Sequence, residues 1–169
     1  MDKRQLERQF IEKVEASQGV VHKICRMYGQ NEAHRKDLFQ EIMIQLWKSY
    51  PSFRGESQFS SWMYRVALNV AIQDFRKVKK RKLLFFESQE FIDRSDIAYD
   101  HEIEDKFKQL HDAIRHLDGL DKAIVLLHLD GSTNEEIGEV VGISQNYVRV
   151  KMNRIKKKLS KTVKQNATS

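Results

Sequence analysis

Thr133-Asn-Glu-Glu-Ile-Gly-Glu-Val-Val-Gly-Ile-Ser-Gln-Asn-Tyr-Val-Arg-Val-Lys-Met-Asn-Arg-Ile-Lys-Lys-Lys158 reads as two helices joined by a tight turn, the second of them cationic. Thr133 is placed to N-cap the first helix, and Glu136, three residues on, to complete a capping box. Ile137, Val140 and Val141 fall on one apolar face of that helix. Gly142 supplies a flexible turn and Ser144 caps the second helix. There Val148, Met152, Ile155 and Leu159 recur at helical spacing and form the stripe that packs on the first helix. Projected at about 100° per residue, Asn146, Arg149, Val150, Asn153 and Lys157 point the other way. Amide, guanidinium and ammonium groups on one face suit base edges and phosphates, which is the layout of a helix-turn-helix that docks in DNA. A solvated basic helix in an ordinary helical hairpin is the alternative. The agreement of caps, turn glycine and stripe favours DNA.

The rest of the chain is consistent with a helical protein. Its 169 residues contain one Pro and seven Gly, and 40% are hydrophobic, enough for one medium core or two small ones. The single cysteine, Cys25, excludes an internal disulfide and a cysteine-based zinc site, and its neighbours Val21, Ile24 and Met27 mark it as an apolar filler. No apolar run reaches membrane-spanning length and the N-terminus lacks the apolar core of a signal peptide, so a soluble protein of the reducing cytoplasm is expected. The formal charge of +6 conceals two clusters. Arg76, Lys77, Lys79, Lys80, Arg81 and Lys82 form one; Arg149, Lys151, Arg154, Lys156, Lys157, Lys158, Lys161 and Lys164 form the other. Outside these fourteen cations, sixteen Lys and Arg stand against twenty-four Asp and Glu, so the remainder is acidic. Two cationic blocks on an acidic background suggest two contacts with one polyanion, where scattered lysines would suggest only solubility.

The periodicity divides the chain into two small all-α domains. Phe10, Val14, Val21, Ile24 and Cys25 predict one or two amphipathic helices between Leu6 and Tyr28, interrupted near Gly19. A second helix is expected from about Arg35 to Tyr50, stopped by Pro51, with Phe39, Ile42, Met43, Leu46, Trp47 and Tyr50 as its core stripe. Ile44 lies about 200° from Ile42, on the polar face with Asp37, Gln40 and Glu41. A third helical region carries Phe59, Trp62, Met63, Val66 and Val70, then Ile72, Phe75 and Val78; the change of phase near Leu68 and Asn69 predicts a break or bend. Residues 83–105 hold eight carboxylates against Arg94 alone, without periodicity, and read as an acidic, largely extended and flexible linker. Beyond it Phe107, Leu110, Ile114 and Leu117, then Ala123, Ile124, Leu126, Leu127 and Leu129, lead into the helix-turn-helix. The expected domains are therefore 1–82 and 106–164, with 165–169 as a tail.

This order of parts resembles, over nearly the whole chain, a bacterial RNA polymerase sigma factor of the sigma-70 family, in its small extracytoplasmic-function (ECF) subgroup. Asp37-Leu-Phe-Gln-Glu-Ile-Met-Ile-Gln-Leu-Trp-Lys-Ser-Tyr-Pro-Ser-Phe-Arg-Gly-Glu-Ser57 is similar to the part of sigma domain 2 that grips the polymerase clamp helices. The resemblance assigns core polymerase binding to Asp37, Gln40, Glu41, Ile44 and Gln45, which gives Ile44 a reason to be exposed. Phe59-Ser-Ser-Trp-Met-Tyr-Arg-Val-Ala-Leu-Asn-Val-Ala-Ile-Gln-Asp-Phe-Arg-Lys77 resembles the segment that melts and reads the minus-10 element. It implies base capture by Trp62, Tyr64, Arg65 and Asn69, although Trp62 also lies on the core stripe, and strand contacts by Gln73, Arg76, Lys77, Lys80 and Arg81. The helix-turn-helix resembles sigma domain 4, which sits on the polymerase flap and reads the minus-35 element. That assigns upstream contacts to Gln145, Asn146, Arg149, Val150, Asn153, Arg154 and Lys157. The family threads its linker through the polymerase channel later used by RNA, although the acidic composition equally suits a passive tether. The ECF subgroup further implies an anti-sigma factor as partner.

Two departures from the family pattern stand out. Gly138 replaces the usual Ala in the first helix of the helix-turn-helix, at about 1 kcal/mol of helix propensity, and Asp118-Gly119 replaces a proline-containing turn. Neither lies on the expected DNA face. The rival reading, an autonomous helix-turn-helix regulator that binds duplex DNA without polymerase, leaves the aromatic and basic segment Phe59–Lys82 unexplained. An enzyme acting on nucleic acid is disfavoured, because the six histidines show no His-Glu-x-x-His or comparable metal spacing. No metal and no cofactor is expected.

Overall fold

The computed structural model describes residues 2–85 and 101–168. Among them are seven α-helices and no strand, in two compact units divided between the third and fourth helices. The first unit holds α1 (Lys3–Tyr28), α2 (Glu32–Ser49), a 3-10 turn (Tyr50–Ser52) and α3 (Phe59–Phe85). The second holds α4 (His101–Arg115), α5 (Gly119–Leu129), α6 (Asn134–Val141) and α7 (Gln145–Ala167).

In the first unit α1 buries Phe10, Val14, Val21, Ile24, Cys25 and Met27, and it runs without interruption through Gly19. The expected break there is corrected by packing. A helix-interior glycine costs about 1 kcal/mol relative to alanine, less than is gained by seating Val14 and Val21, one on each side of it, in a common core. Likewise α3 is one helix, without the break expected near Asn69. Its phase is continuous once the alanines are included: Tyr64, Ala67 and Leu68, and Ala71 are buried, followed by half-buried Phe75 and Val78. Small residues at the contact let α3 approach its neighbours closely, which reading large side chains alone conceals. On α2 the buried residues are Leu38, Ile42 and Leu46; Phe39, Met43 and Trp47 are half-buried, so the core stripe is rotated toward Leu38.

The second unit seats Ile114, Leu117, Ala123, Ile124, Leu126, Leu127, Ile137, Val148, Met152 and Ile155 in its own core. Phe107 and Leu129, assigned to apolar stripes from the sequence, are 68% and 62% exposed. Asp118 fills the place of the family's turn proline as N-cap of α5, accepting the Asp121 N–H at 2.9 Å. Helix also enters both ends of the stretch read as a linker, since α3 continues to Phe85 and α4 opens at His101. The rest of that expectation, residues 86–100, lies outside the described residues.

Candidate polymerase and nucleic-acid interfaces

Each unit presents a polar face on a helix held rigid from behind. On α2, Asp37, Gln40, Glu41, Ile44 and Gln45 are all exposed, and Ile44 stands 48% exposed between the buried Ile42 and Leu46. Asn31 caps the helix by accepting the His34 N–H at 2.8 Å. The His34 ring then ties α2 to α3. Its Nδ1 accepts the Gln30 backbone N–H at 3.1 Å, so the neutral ring carries its proton on Nε2, which lies 2.8 Å from Asp74 Oδ2.

The start of α3 is fixed differently, by rings. Trp62 packs against Tyr50, Phe53 and Phe59 with centroids 6.3, 5.1 and 5.3 Å apart, and Phe10 of α1 lies 5.2 Å from Tyr50. The Lys13 ammonium stands over Phe53 and Phe59 at 5.4 and 5.5 Å. Trp62 is thus a half-buried member of this cluster, as its place on the core stripe implied. Tyr64 differs from expectation. Its side chain is buried, because position 64 falls on the face of α3 that carries Ala67, Leu68 and Ala71 into the core. It therefore does not stand with the other expected contact residues exposed on α3, Arg65, Asn69, Gln73, Arg76, Lys77, Lys80 and Arg81.

Helices α2 and α3 line one open groove of about 650 Å³. Asp37, Glu41 and Gln45 form one wall, and Asn69, Gln73 and Lys77 belong to the other. Carboxylates and cations thus share the rim of one depression, the polar face of α2 adjoining the cationic face of α3.

The helix-turn-helix forms as its local chemistry dictates. Thr133 Oγ1 accepts the Glu136 N–H at 3.2 Å and Glu136 Oε2 accepts the Thr133 N–H at 2.7 Å. Gly142 adopts φ 78°, left-handed backbone that suits glycine. The Gly142 and Ile143 N–H groups close the turn on the Gly138 carbonyl at 2.9 and 3.1 Å. Ser144 accepts the Tyr147 N–H at 3.1 Å. Gly138 gains a structural reason here: a Cβ at that position would stand 2.5 Å from the Ile143 carbonyl oxygen. The departure from alanine accommodates a close crossing of α6 with the turn.

On α7, Gln145, Asn146, Arg149, Asn153, Arg154 and Lys157 are exposed and Val150 is half-buried, so all seven expected upstream-contact residues keep some exposure. Arg149 donates from Nη2 to Asn146 Oδ1 at 2.7 Å, which prearranges a guanidinium beside an amide. Two features of this helix were not foreseen. Lys151, counted within the cationic block, turns inward and pairs with Asp121 of α5, Nζ to Oδ1 2.8 Å, with both side chains largely shielded. Burial works to lower the Lys151 pKa, but the hydrogen bond and charge of Asp121, with smaller help from Asp118 and Tyr147, prevail and hold it above the ordinary lysine value. Tyr147, 43% exposed, is the other. In the first unit, burial pushes the Cys25 thiol up to about 11, in keeping with an inert filler. Among the described residues no group of three His, Cys, Asp or Glu side chains could hold a metal ion, and no helix is long and apolar enough to cross a membrane.

A cationic recognition helix on a glycine-turned, doubly capped helical pair defines a DNA-binding protein, here joined to a second helical unit with its own polar and cationic faces. The sigma-70 region 2 family matches residues 14–81 and the sigma-70 region 4 family matches residues 107–159, together most of the chain. The chain belongs to the sigma-70 family, as an ECF sigma factor. Among its relatives is RNA polymerase sigma factor SigV of Bacillus subtilis, 27% identical over 136 residues that cover 79% of this chain and 78% of that protein. The ECF sigma factor SigW of the same organism is 27% identical over 173 residues, covering 92% of this chain and 89% of the relative. The fold is shared with the sigma factor RpoE of Bartonella quintana, solved in complex with the anti-sigma factor NepR, at a TM-score of 0.69 and 17% identity over 93% of this chain and 98% of that one. It is shared too with CnrH, solved with the cytosolic domain of CnrY, at 0.66 and 18% over 94% and 90%.

Proposed function

We propose a division of labour for this promoter-recognising sigma factor in which α2 docks on core RNA polymerase, α3 captures the minus-10 element and α7 reads the minus-35 element. Asp37, Gln40, Glu41, Ile44 and Gln45 meet the polymerase clamp helices. The observation that carries this assignment is Ile44, an aliphatic side chain 48% exposed on a face otherwise made of acids and amides. On α3, Arg65 and Asn69 contact the unpaired strand, the half-buried Trp62 supports them, and Gln73, Arg76, Lys77, Lys80 and Arg81 hold phosphates. Unstacking bases costs a few kcal/mol for each, and a helix fixed by an aromatic cluster and by His34–Asp74 offers its contacts without first having to be ordered. Gln145, Asn146, Arg149, Val150, Asn153, Arg154 and Lys157 face the upstream duplex while the second unit rests on the polymerase flap.

The sigma-70 family consists of initiation factors, and polymerase supplies the chemistry; this chain acts without a catalytic residue of its own, in the cytoplasm where polymerase works. Of its structural relatives, RpoE was solved with the anti-sigma factor NepR and CnrH with the cytosolic domain of CnrY, and we infer that an anti-sigma partner controls this chain as well. The reading is tested by run-off transcription with bacterial core polymerase on fragmented genomic DNA. Discrete new starts that share two spaced upstream elements are expected. Specific duplex binding without any new start would replace the reading with an autonomous regulator. Ile44→Asp is expected to weaken core binding with an unchanged melting curve, and normal core affinity would remove Ile44 from the interface. Arg149→Ala is expected to lose about 1–3 kcal/mol of upstream recognition, measured as promoter affinity of the holoenzyme.

A further inference from the structure

We propose that Tyr147 is a specificity-determining residue that reads a thymine methyl group in the upstream duplex, and that Lys151, anchored by Asp121, is the positioning residue that holds its ring. The inference rests on the sigma-factor reading of α7 and adds to it a residue outside the expected contact set. Tyr147 occupies the first turn of α7, the end of a recognition helix that approaches base edges. At about 100° per residue it lies roughly 60° from Val150 and 20° from Arg154, on the border of the outward face. It is 43% exposed, and its hydroxyl has no hydrogen-bond partner among the described residues.

What distinguishes this tyrosine from an incidental exposed ring is the way it is held. Lys151 Nζ stands 5.7 Å from the ring centroid, on the ring face, and the same ammonium is 2.8 Å from Asp121 Oδ1. The carboxylate is on α5, across the core, and both partners are largely shielded from water. A cation fixed in this way attracts the π face and restrains the ring. One face is engaged, and the part of the ring that remains exposed is left for a ligand. In the major groove the apolar feature that distinguishes one base from another is the thymine 5-methyl group, and an aromatic edge makes the apolar contact that selects it. Lys151 thus acts through Tyr147 and not on a phosphate, although it sits within a run of DNA-facing cations.

The test uses the full chain with core polymerase and a promoter library randomised across the upstream element. Wild-type protein should select a thymine at one position. Tyr147→Ala should relax that position alone, by about fivefold to tenfold, and leave the other preferences intact. Tyr147→Phe should behave as wild type. Deoxyuridine in place of the selected thymine, which removes only the methyl group, should weaken the wild-type holoenzyme and leave Tyr147→Ala indifferent. Because Lys151→Met alone would strand the Asp121 carboxylate, positioning is tested with the double variant Asp121→Asn/Lys151→Met, whose fold is checked by thermal melting. It should relax the same position, add nothing to Tyr147→Ala, and leave the salt dependence of promoter binding unchanged. Lys151→Arg should retain the wild-type preference. An unchanged base preference in Tyr147→Ala overturns the proposal, as does Tyr147→Phe matching Tyr147→Ala. A salt slope reduced by about one in the double variant makes Lys151 a phosphate contact and overturns its positioning role. If wild type directs no discrete starts, the sigma-factor reading fails; if it does and Tyr147→Ala changes nothing, only this inference fails.

Discussion

The two units fix their functional helices by different means. In the first, α3 is set by large rings gathered from three segments, Phe10 of α1, Tyr50 and Phe53 after α2, and Phe59 and Trp62 of α3 itself, with His34–Asp74 as a polar tie. In the second, α7 seats Val148, Met152 and Ile155 in the core and is set in direction by a capping box, a left-handed glycine and a capping serine close by in sequence, with one shielded ion pair from α5. Ring packing fixes a helix through the shape and edge-to-face geometry of side chains brought from distant segments, whereas caps and turns act through directed hydrogen bonds to backbone groups a few residues away. A surface proposed to capture flexible single strands is thus built on packing. One proposed to read a duplex in fixed register adds directed hydrogen bonds at its start to the packing of its inner face.

That contrast can be broken by substitutions that strike one mode of support at a time. The largest effect is expected from Leu46→Ala, which empties a fully buried position on α2. It should cost the first unit about 2–5 kcal/mol, seen as lost amide protection in α1–α3 with α4–α7 unaffected. Equal loss in both units would show that they share one stability. Gly138→Ala comes next. Alanine improves helix propensity by about 1 kcal/mol, but its Cβ meets the Ile143 carbonyl oxygen at 2.5 Å, and displacing backbone there costs about 1–3 kcal/mol. A lower melting temperature for the second unit and weaker upstream recognition are expected. A higher melting temperature would show that the turn yields easily and that α7 is not set by it.

The smallest effect sharpens the picture of the first core. Burial raises the Cys25 thiol from 9.0 to about 11, so the folded state holds that proton more firmly than the unfolded chain does. This contribution is fully present below pH 9 and is lost as pH rises toward about 11. Cys25→Ala should therefore flatten the fall in stability between those pH values, as followed by denaturant melts. An identical slope in both proteins would mean the thiol is open to water.

Much of the second unit was legible because its determinants are local. Thr133, Glu136, Gly142 and Ser144 act on backbone groups within four or five residues, and each does what its type and spacing imply. Ile44 was legible for a related reason, since an angle along one helix needs no knowledge of any other. The misreadings share the opposite cause. Gly19 and Asn69 carry local preferences against helix worth about 1 kcal/mol or less, and burial on both sides outweighs them. Tyr64 is assigned to base capture by the family resemblance of its position, and only the packing of Ala67, Leu68 and Ala71 beside it shows that it faces inward. Lys151 was read as one of a row of cations because Asp121 lies thirty residues away.

By itself the sequence determined the all-helical character, the separation into two units, the turn that crosses α6 with α7, and the outward faces of α2 and α7. Periodicity and capping are encoded within a few turns of chain, so these follow from side-chain chemistry at known spacing. Tertiary structure alone decided which aromatic rings stand inside, that α2 and α3 share one groove, and that Lys151 belongs to Asp121 and Tyr147 and not to solvent. Each of these depends on residues between three and forty positions apart meeting across packed helices, and the energy of such a meeting exists only once the core that brings them together has formed.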